Sequence, residues 1–146
     1  NASRIIPNLK AKDKQGALKE VADRMAGQDP ALDARRLFEI LLEREQVSTT
    51  AIGEGVAIPH GKVPGVKQVA GLFARSSEGV DFDSLDGGLT HLIFLLVAPE
   101  DSAADHLKAL ARISRLLKDN AFRVRLMKEK TGDELFHIIK EEDQKF

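Results

Sequence analysis

The chain has 146 residues, 42% of them hydrophobic and 31% charged, with 22 basic side chains against 23 acidic ones and no cysteine. Such a length suits one domain with a continuous core, and a net charge of -1 from interspersed residues builds no basic face for nucleic acid. The missing thiols exclude disulfides, thiolate metal sites and cysteine nucleophiles together, and no run approaches the roughly 18 apolar residues of a membrane span. A protein of a reducing, cytoplasmic compartment, with no nucleic acid partner and no membrane insertion, is therefore expected.

Asn1-Ala2 opens the chain without methionine and without a charged-then-apolar signal pattern, so these residues read as an expression scar or a trimmed start, with one domain over 3–146. "DKQGALKEVADRMAGQ" predicts a first helix capped by Asp13, with Leu18, Val21, Ala22 and Met25 on one face and Gly27 ending it. Asp29-Pro30 then launches a second helix, "PALDARRLFEILLEREQ", whose apolar stripe is Leu37, Phe38, Leu41 and Leu42. The period next changes from helical to extended. "VAI" (56–58), "VAGLFA" (69–74) and "HLIFLLVA" (91–98) predict strands, the last apolar nearly throughout as a strand covered on both faces should be. A third long helix follows Ser102, where Ser102-x-x-Asp105 resembles a capping box and Leu107, Leu110, Ala111, Ile113 and Leu117 face inward. "NAFRVRLMKEK" makes a shorter helix, and Thr131-x-x-Glu134 caps a last one with Leu135, Ile138 and Ile139 inside. Central strands with helices at both ends predict an α/β fold, a three-layer α/β/α sandwich around a small sheet whose strand order the sequence leaves open.

The segment "IGEGVAIPHGK" (52–62) carries the candidate chemistry. Gly53-Glu54-Gly55 begins like a dinucleotide fingerprint, but the third glycine position falls on Ile58; a Walker loop needs four residues between its glycines, and Gly55 and Gly61 are separated by five. Val63 also stands where a magnesium-binding hydroxyl should follow Lys62. The four histidines, His60, His91, His106 and His137, contain no pair spaced to share a helix face, and neither HExxH nor a G-x-S-x-G elbow occurs. Neither a nucleotide cofactor nor a metal is therefore expected, and Lys62 reads as incidental.

His60 itself has two readings. Pro59 fixes its own φ and biases Ile58 to extended geometry, while Gly61 frees the exit, so Pro-His-Gly is either a loop with an exposed ring or a stiff strand end presenting a reactive imidazole. His106 favours the second, because it falls in the first turn of the helix after Ser102. Free backbone N–H groups and the positive end of the dipole there suit an anion and a neutral imidazole. Two histidines beside an anion-binding helix start fit phosphoryl transfer onto a histidine nitrogen, a reaction that needs positioning and charge stabilisation above all. Arg44, at the end of the second helix, is the nearest cation upstream; its alternative is a solvated helix end or an ion pair with Glu43, Glu45 or Asp33.

These residues together carry a family resemblance. Glu45, six intervening residues, Ile52-Gly53 and then Val56-Ala57-Ile58-Pro59-His60-Gly61 resemble the active-site signature of the fructose/mannitol-type enzyme IIA domains of the bacterial phosphotransferase system. "FDSLDG" (82–87), "HLIFLLVAPE" (91–100) and "DHLKALARISRLL" (105–117) are similar to the family's later segments, in order. The resemblance implies that His60 is phosphorylated at the ring nitrogen remote from the backbone and that His106 contacts the phosphoryl group without accepting it. It also implies that Arg44 and Glu54 line the pocket, Glu54 being asparagine in other members. The implied fold is an α/β/α sandwich with a mixed sheet, and the implied donor is a phosphorylated HPr-type carrier protein. Some members pass phosphate to a IIB domain and on to sugar, while nitrogen-regulatory members act on target proteins by phosphorylation state. "LLERE", "GLFARS" and the lone-domain length resemble the regulatory type. A non-catalytic interaction module of the same fold is a further alternative, against which the retention of both His60 and His106 argues. His91 and His137 match no family site and read as a strand-edge and a helix-face residue.

Overall fold

The computed structural model describes residues 4–101, 103–129 and 131–143. Ser102, read above as a helix cap, lies outside the described residues.

Strand β1 (Ile5–Ile6) is followed by helices α1 (Lys14–Ala26) and α2 (Ala34–Val47), strands β2 (Ala51–Gly53), β3 (Val56–Ala57), β4 (His60–Lys62), β5 (Ala70–Val80) and β6 (Thr90–Ala98), and helices α3 (Ala103–Lys118), α4 (Asn120–Lys128) and α5 (Gly132–Asp143). The sheet runs β1-β5-β6-β3-β2, with β4 also paired to β6. It is mixed: β5 and β6 are antiparallel, as are β2 and β3, whereas β1 joins β5, and β3 and β4 join β6, in parallel. Residues 56–57 sit opposite 92–93 and residues 60–62 opposite 96–98, so β3 and β4 occupy one lane beside β6, interrupted at Ile58-Pro59.

Alternation along the long strands divides the core into two layers. Ile93, Leu95 and Val97 of β6 and Leu72 and Ala74 of β5 pack with Leu18, Val21, Met25, Leu37 and Leu41 of α1 and α2. Leu92 and Phe94, with Phe73, face the other way onto Leu116, Leu117, Phe122, Leu126, Leu135 and Ile138 of α3, α4 and α5. Phe73 and Phe94 stack with ring centroids 4.8 Å apart, a pairing worth about 1 kcal/mol beyond the area it buries. The three-layer α/β/α sandwich read from the sequence is the fold observed.

Several boundaries differ from the sequence reading, each for a local reason. α2 starts at Ala34 rather than at Pro30, because the Asp33 carboxylate accepts from Arg35 N, while Asp29 is used in a turn, accepting from Ala31 N. β5 continues past Ala74 to Val80, carrying a buried Arg75 whose guanidinium donates to the carbonyls of Pro7, Leu126 and Glu129. That arginine ties the β1–α1 connection and the end of α4 to the centre of the sheet. On α3, Leu110, Ile113 and Leu117 face inward as expected, but Leu107 is 67% exposed and Ala111 is exposed too, and the stripe starts with His106. His91 lies on the central strand rather than at an edge, its Nδ1 2.8 Å from the Ser76 carbonyl, and His137 is exposed on α5 beside Glu141.

Candidate functional site

The strand lane beside β6 explains where His60 points. With Ile58 in the α3–α5 core and Gly61 against α2, residue 60 takes the α3 side, and Lys62, two positions on, shares it. His60 is therefore neither in a loop nor at the end of a strand, the two readings the sequence offered. It opens β4, paired with Leu96.

The residues before it face alternate sides of the lane. Pro59 has no N–H, and its carbonyl accepts from Leu96 N at 3.0 Å, keeping the lane in register. Ile58 turns away from β6: its N–H donates to Thr50 O at 3.1 Å, and its carbonyl lies 2.8 Å from His60 Nδ1. A carbonyl can only accept, so Nδ1 of the neutral ring carries the proton and Nε2 keeps its lone pair. The nitrogen remote from the backbone is thus the one whose lone pair is free.

His106 comes from the first turn of α3 and meets His60 edge to face, with ring centroids 5.3 Å apart. It is buried, and its Nε2 has no hydrogen-bond partner among the described residues. Burial, and after it the charges of His60 and Lys62, hold its pKa below the ordinary histidine value. A neutral ring with a sequestered, unsatisfied nitrogen is a costly arrangement unless something polar arrives to meet it. A phosphoryl oxygen on His60 Nε2 would be such a group.

The other two candidates are directed elsewhere. Arg44, in the opposite helix layer, donates from its guanidinium to Ser48 O at 3.0 Å and so closes its own helix end. The anticipated partner Glu45 is instead buried, paired with Lys14 at 3.2 Å and accepting from Thr50 N and Thr50 Oγ1. Glu54 forms the tip of the β2–β3 hairpin at φ 59°, between Gly53 and Gly55 at φ 105° and 77°. Asp86 holds that tip, accepting from Gly88 N, Ser84 Oγ and Glu54 N, and these bonds keep its carboxyl below the usual carboxylate range. The Glu54 carboxylate receives Arg123 Nη2 at 2.7 Å, over a cleft of about 220 Å³ beside Ser114, Leu117 and Lys118. Those α3 residues lie roughly 12–18 Å along the helix from His106 at about 1.5 Å per residue. The structure thus joins His60 with His106, adds Lys62 on their face, and leaves Arg44 and Glu54 committed to other partners.

Lys62 escaped the sequence reading because the strand was ended at Pro59. Extending the two-residue period across the proline would have placed it beside His60. Among the described residues no group of three or more histidine, aspartate or glutamate side chains could hold a metal ion, and no helix is long and apolar enough to cross a membrane.

Comparison with known proteins decides the family. Residues 1–142 match the model for the phosphoenolpyruvate-dependent sugar phosphotransferase system, EIIA 2. The chain belongs to that family. It is therefore an EIIA-type component of the phosphotransferase system, a transferase of the phosphocarrier kind. A nitrogen regulatory protein of Bradyrhizobium diazoefficiens is 46% identical over 135 residues, covering 92% of this chain and 88% of that protein. A fructose-specific EIIABC component of Bacillus subtilis is 37% identical over 94% of this chain and 22% of its own length. Among solved structures, the nitrogen regulatory protein IIA-Ntr from Neisseria meningitidis superposes with a TM-score of 0.89 at 33% identity, covering 95% of this chain and 94% of that one. The Escherichia coli mannitol enzyme IIA, solved in complex with phosphorylated mannitol IIB, shares the fold with a TM-score of 0.80 at 22% identity over 96% of each chain.

Proposed function

We propose that this EIIA protein accepts a phosphoryl group at Nε2 of His60 from a phosphorylated HPr-type carrier and works in the cytoplasm as a nitrogen-regulatory IIA protein. The observation that carries the acceptor assignment is the His60 Nδ1 contact with Ile58 O, which frees Nε2 beside the unsatisfied Nε2 of His106. In the transfer, the P–N bond of the donor breaks with its electron pair returning to the donor ring, and a P–N bond forms at His60 Nε2. The His60 ring keeps its Nδ1 proton, and the Ile58 carbonyl stabilises the positive charge that develops there. His106 Nε2–H donates to a phosphoryl oxygen without exchanging a proton, and Lys62 offsets the added negative charge from the same strand face. Arg44, with Nη1 on Ser48 O, and Glu54, with Oε2 on Arg123, would contribute through their remaining atoms once a partner reorients them.

The regulatory assignment draws on the similarity to the Bradyrhizobium and Neisseria proteins. The alternative is transfer to a IIB domain in sugar transport, favoured by the fructose-specific relative and by the mannitol IIA–IIB complex. Incubation with a phosphorylated HPr-type donor should place acid-labile phosphate on His60; label elsewhere, or none, overturns the acceptor assignment. Onward transfer of that label to a IIB domain at a rate matching its uptake would replace the regulatory reading with the transport one.

A further inference from the structure

We propose that Glu45 is a positioning residue for the nucleophile, fixing the tautomer of His60 through Thr50 and Ile58. The inference rests on His60 being the phosphoryl acceptor, as proposed above. Glu45 stands in the last turn of α2 with its side chain 2% exposed, and Lys14 Nζ lies 3.2 Å from its Oε1. A carboxylate has only acceptors, and this one takes both donors of Thr50: the backbone N–H at Oε1, 2.9 Å away, and the hydroxyl at Oε2. Thr50, three residues past the helix end, is thereby held at both its N–H and its side chain, and its carbonyl accepts from Ile58 N at 3.1 Å. Ile58 faces away from β6, as alternate residues of a strand lane do, and its carbonyl holds His60 Nδ1.

Each link orients the next. Ile58 is free to serve the ring because its N–H is met by Thr50 rather than by the ladder, and Thr50 can serve Ile58 because Glu45 satisfies it from the other side. Remove the carboxylate and Thr50 N–H and Oγ1 lose their acceptor inside the protein, so the Thr50 peptide can rotate and Ile58 with it. The ring proton then redistributes between Nδ1 and Nε2, and every molecule protonated at Nε2 lacks a nucleophile. Lys14 serves the carboxylate as counterion and offsets the cost of burying its charge.

The test uses the full chain with ¹⁵N-labelled histidine and three variants, Glu45→Ala, Glu45→Gln and Thr50→Val. Ring ¹⁵N shifts of His60, read where the ring is neutral, report the tautomer without any donor protein. Wild type should show Nδ1 protonated. Glu45→Ala should show a mixture of tautomers, with phosphoryl uptake slowed by about tenfold or more, within the range that small misplacements of reacting groups produce. Glu45→Gln keeps an acceptor for Thr50 N–H and should stay within about threefold of wild type with the tautomer retained; such rescue is not expected of a group that acts only as a charge. Should Glu45→Ala fail to fold, Thr50→Val decides, because it loses only the hydroxyl contact and should give an intermediate tautomer mixture. Wild-type ring shifts and uptake rates in both Glu45→Ala and Thr50→Val, or in Thr50→Val alone where the other does not fold, would overturn the proposal, whatever happens to stability. Absence of phosphate from wild-type His60 would instead refute the acceptor assignment, and the ring shifts would still report on the positioning chain.

Discussion

Replacing Gly61 with alanine probes whether the contact between β4 and α2 sets the position of His60. A Cβ at residue 61 would stand 2.7 Å from Ile40 Cγ2, about 1 Å inside the 3.5–4.0 Å at which carbon atoms pack. Ile40 is β-branched and held on a helix, so it has little rotamer freedom to yield, and the strand must move instead. Overpacking of this size costs about 1–3 kcal/mol of stability. A displacement of β4 by even part of that 1 Å also carries His60, whose ring is 5.3 Å from His106 across the site, and misplacement on this scale slows transfer by up to about a hundredfold. Chemical denaturation and single-turnover uptake of phosphate from a phosphorylated HPr-type donor would measure the two effects separately. Ile40→Ala in the Gly61→Ala background removes the colliding methyl and should restore most of the rate, with a coupling of about 1 kcal/mol or more in the double-mutant cycle. An unchanged rate and midpoint for Gly61→Ala would refute the argument, as would a double variant whose losses are simply additive.

Further outcomes follow from the same geometry. His60→Ala should abolish labelling, whereas His106→Ala should retain it at a rate lower by about a hundredfold, since it removes stabilisation and leaves the nucleophile; complete loss in both, by mass spectrometry of the phosphorylated chain, would contradict the division of roles. Because His106 has a folded-state pKa below its ordinary 6.5, the unfolded chain binds the proton first, so its contribution to stability is full above about pH 6.5 and declines as pH falls through that value toward the lower folded one. Urea midpoints at pH 7.5 and 5.5 should therefore differ less in His106→Asn than in wild type. Arg44→Ala should slow transfer while leaving the melting temperature nearly unchanged, its contact with Ser48 O being exposed; a large thermal shift would assign Arg44 to structure instead. Arg75→Met strips the carbonyls of Pro7, Leu126 and Glu129 of a charged donor and should cost about 3 kcal/mol in equilibrium unfolding without altering which histidine is labelled.

What the sequence made legible, and what it did not, divides along physical lines. α1 was readable to its cap because Asp13 and an uninterrupted apolar face are local signals, and β6 because a strand covered on both sides is apolar at almost every position. Strands β1, β2 and β4 are two or three residues long and owe their conformation to the long strands beside them, so no local pattern marks them. The polar half of β5 stayed hidden because Arg75 is buried by carbonyl acceptors contributed from residues 7, 126 and 129, far off in the chain. At the candidate site, Pro59 and Gly61 together with the signature singled out His60, which the structure places beside His106. On α3, Leu110, Ile113 and Leu117 were placed correctly, but Leu107 and Ala111 were included where His106 belongs, because the first inward member is a histidine and was not counted as apolar. Arg123 and Asp86 had no local signal at all, since their meaning lies in a hairpin tip 69 and 32 residues away in sequence.

The break at Ile58-Pro59 has a consequence for solubility. None of the described strands pairs with the outer side of β4, so His60 sits on a free sheet margin of the kind that recruits foreign chains into shared ladders. The margin is blunted by its own composition. A three-residue strand offers few backbone groups to a visitor, the proline before it has no N–H to donate, and Lys62 brings a charge that a growing ladder would have to desolvate. The same residues that leave the imidazole open to a partner protein thus deny that partner, or a second copy of the chain, a template on which to aggregate.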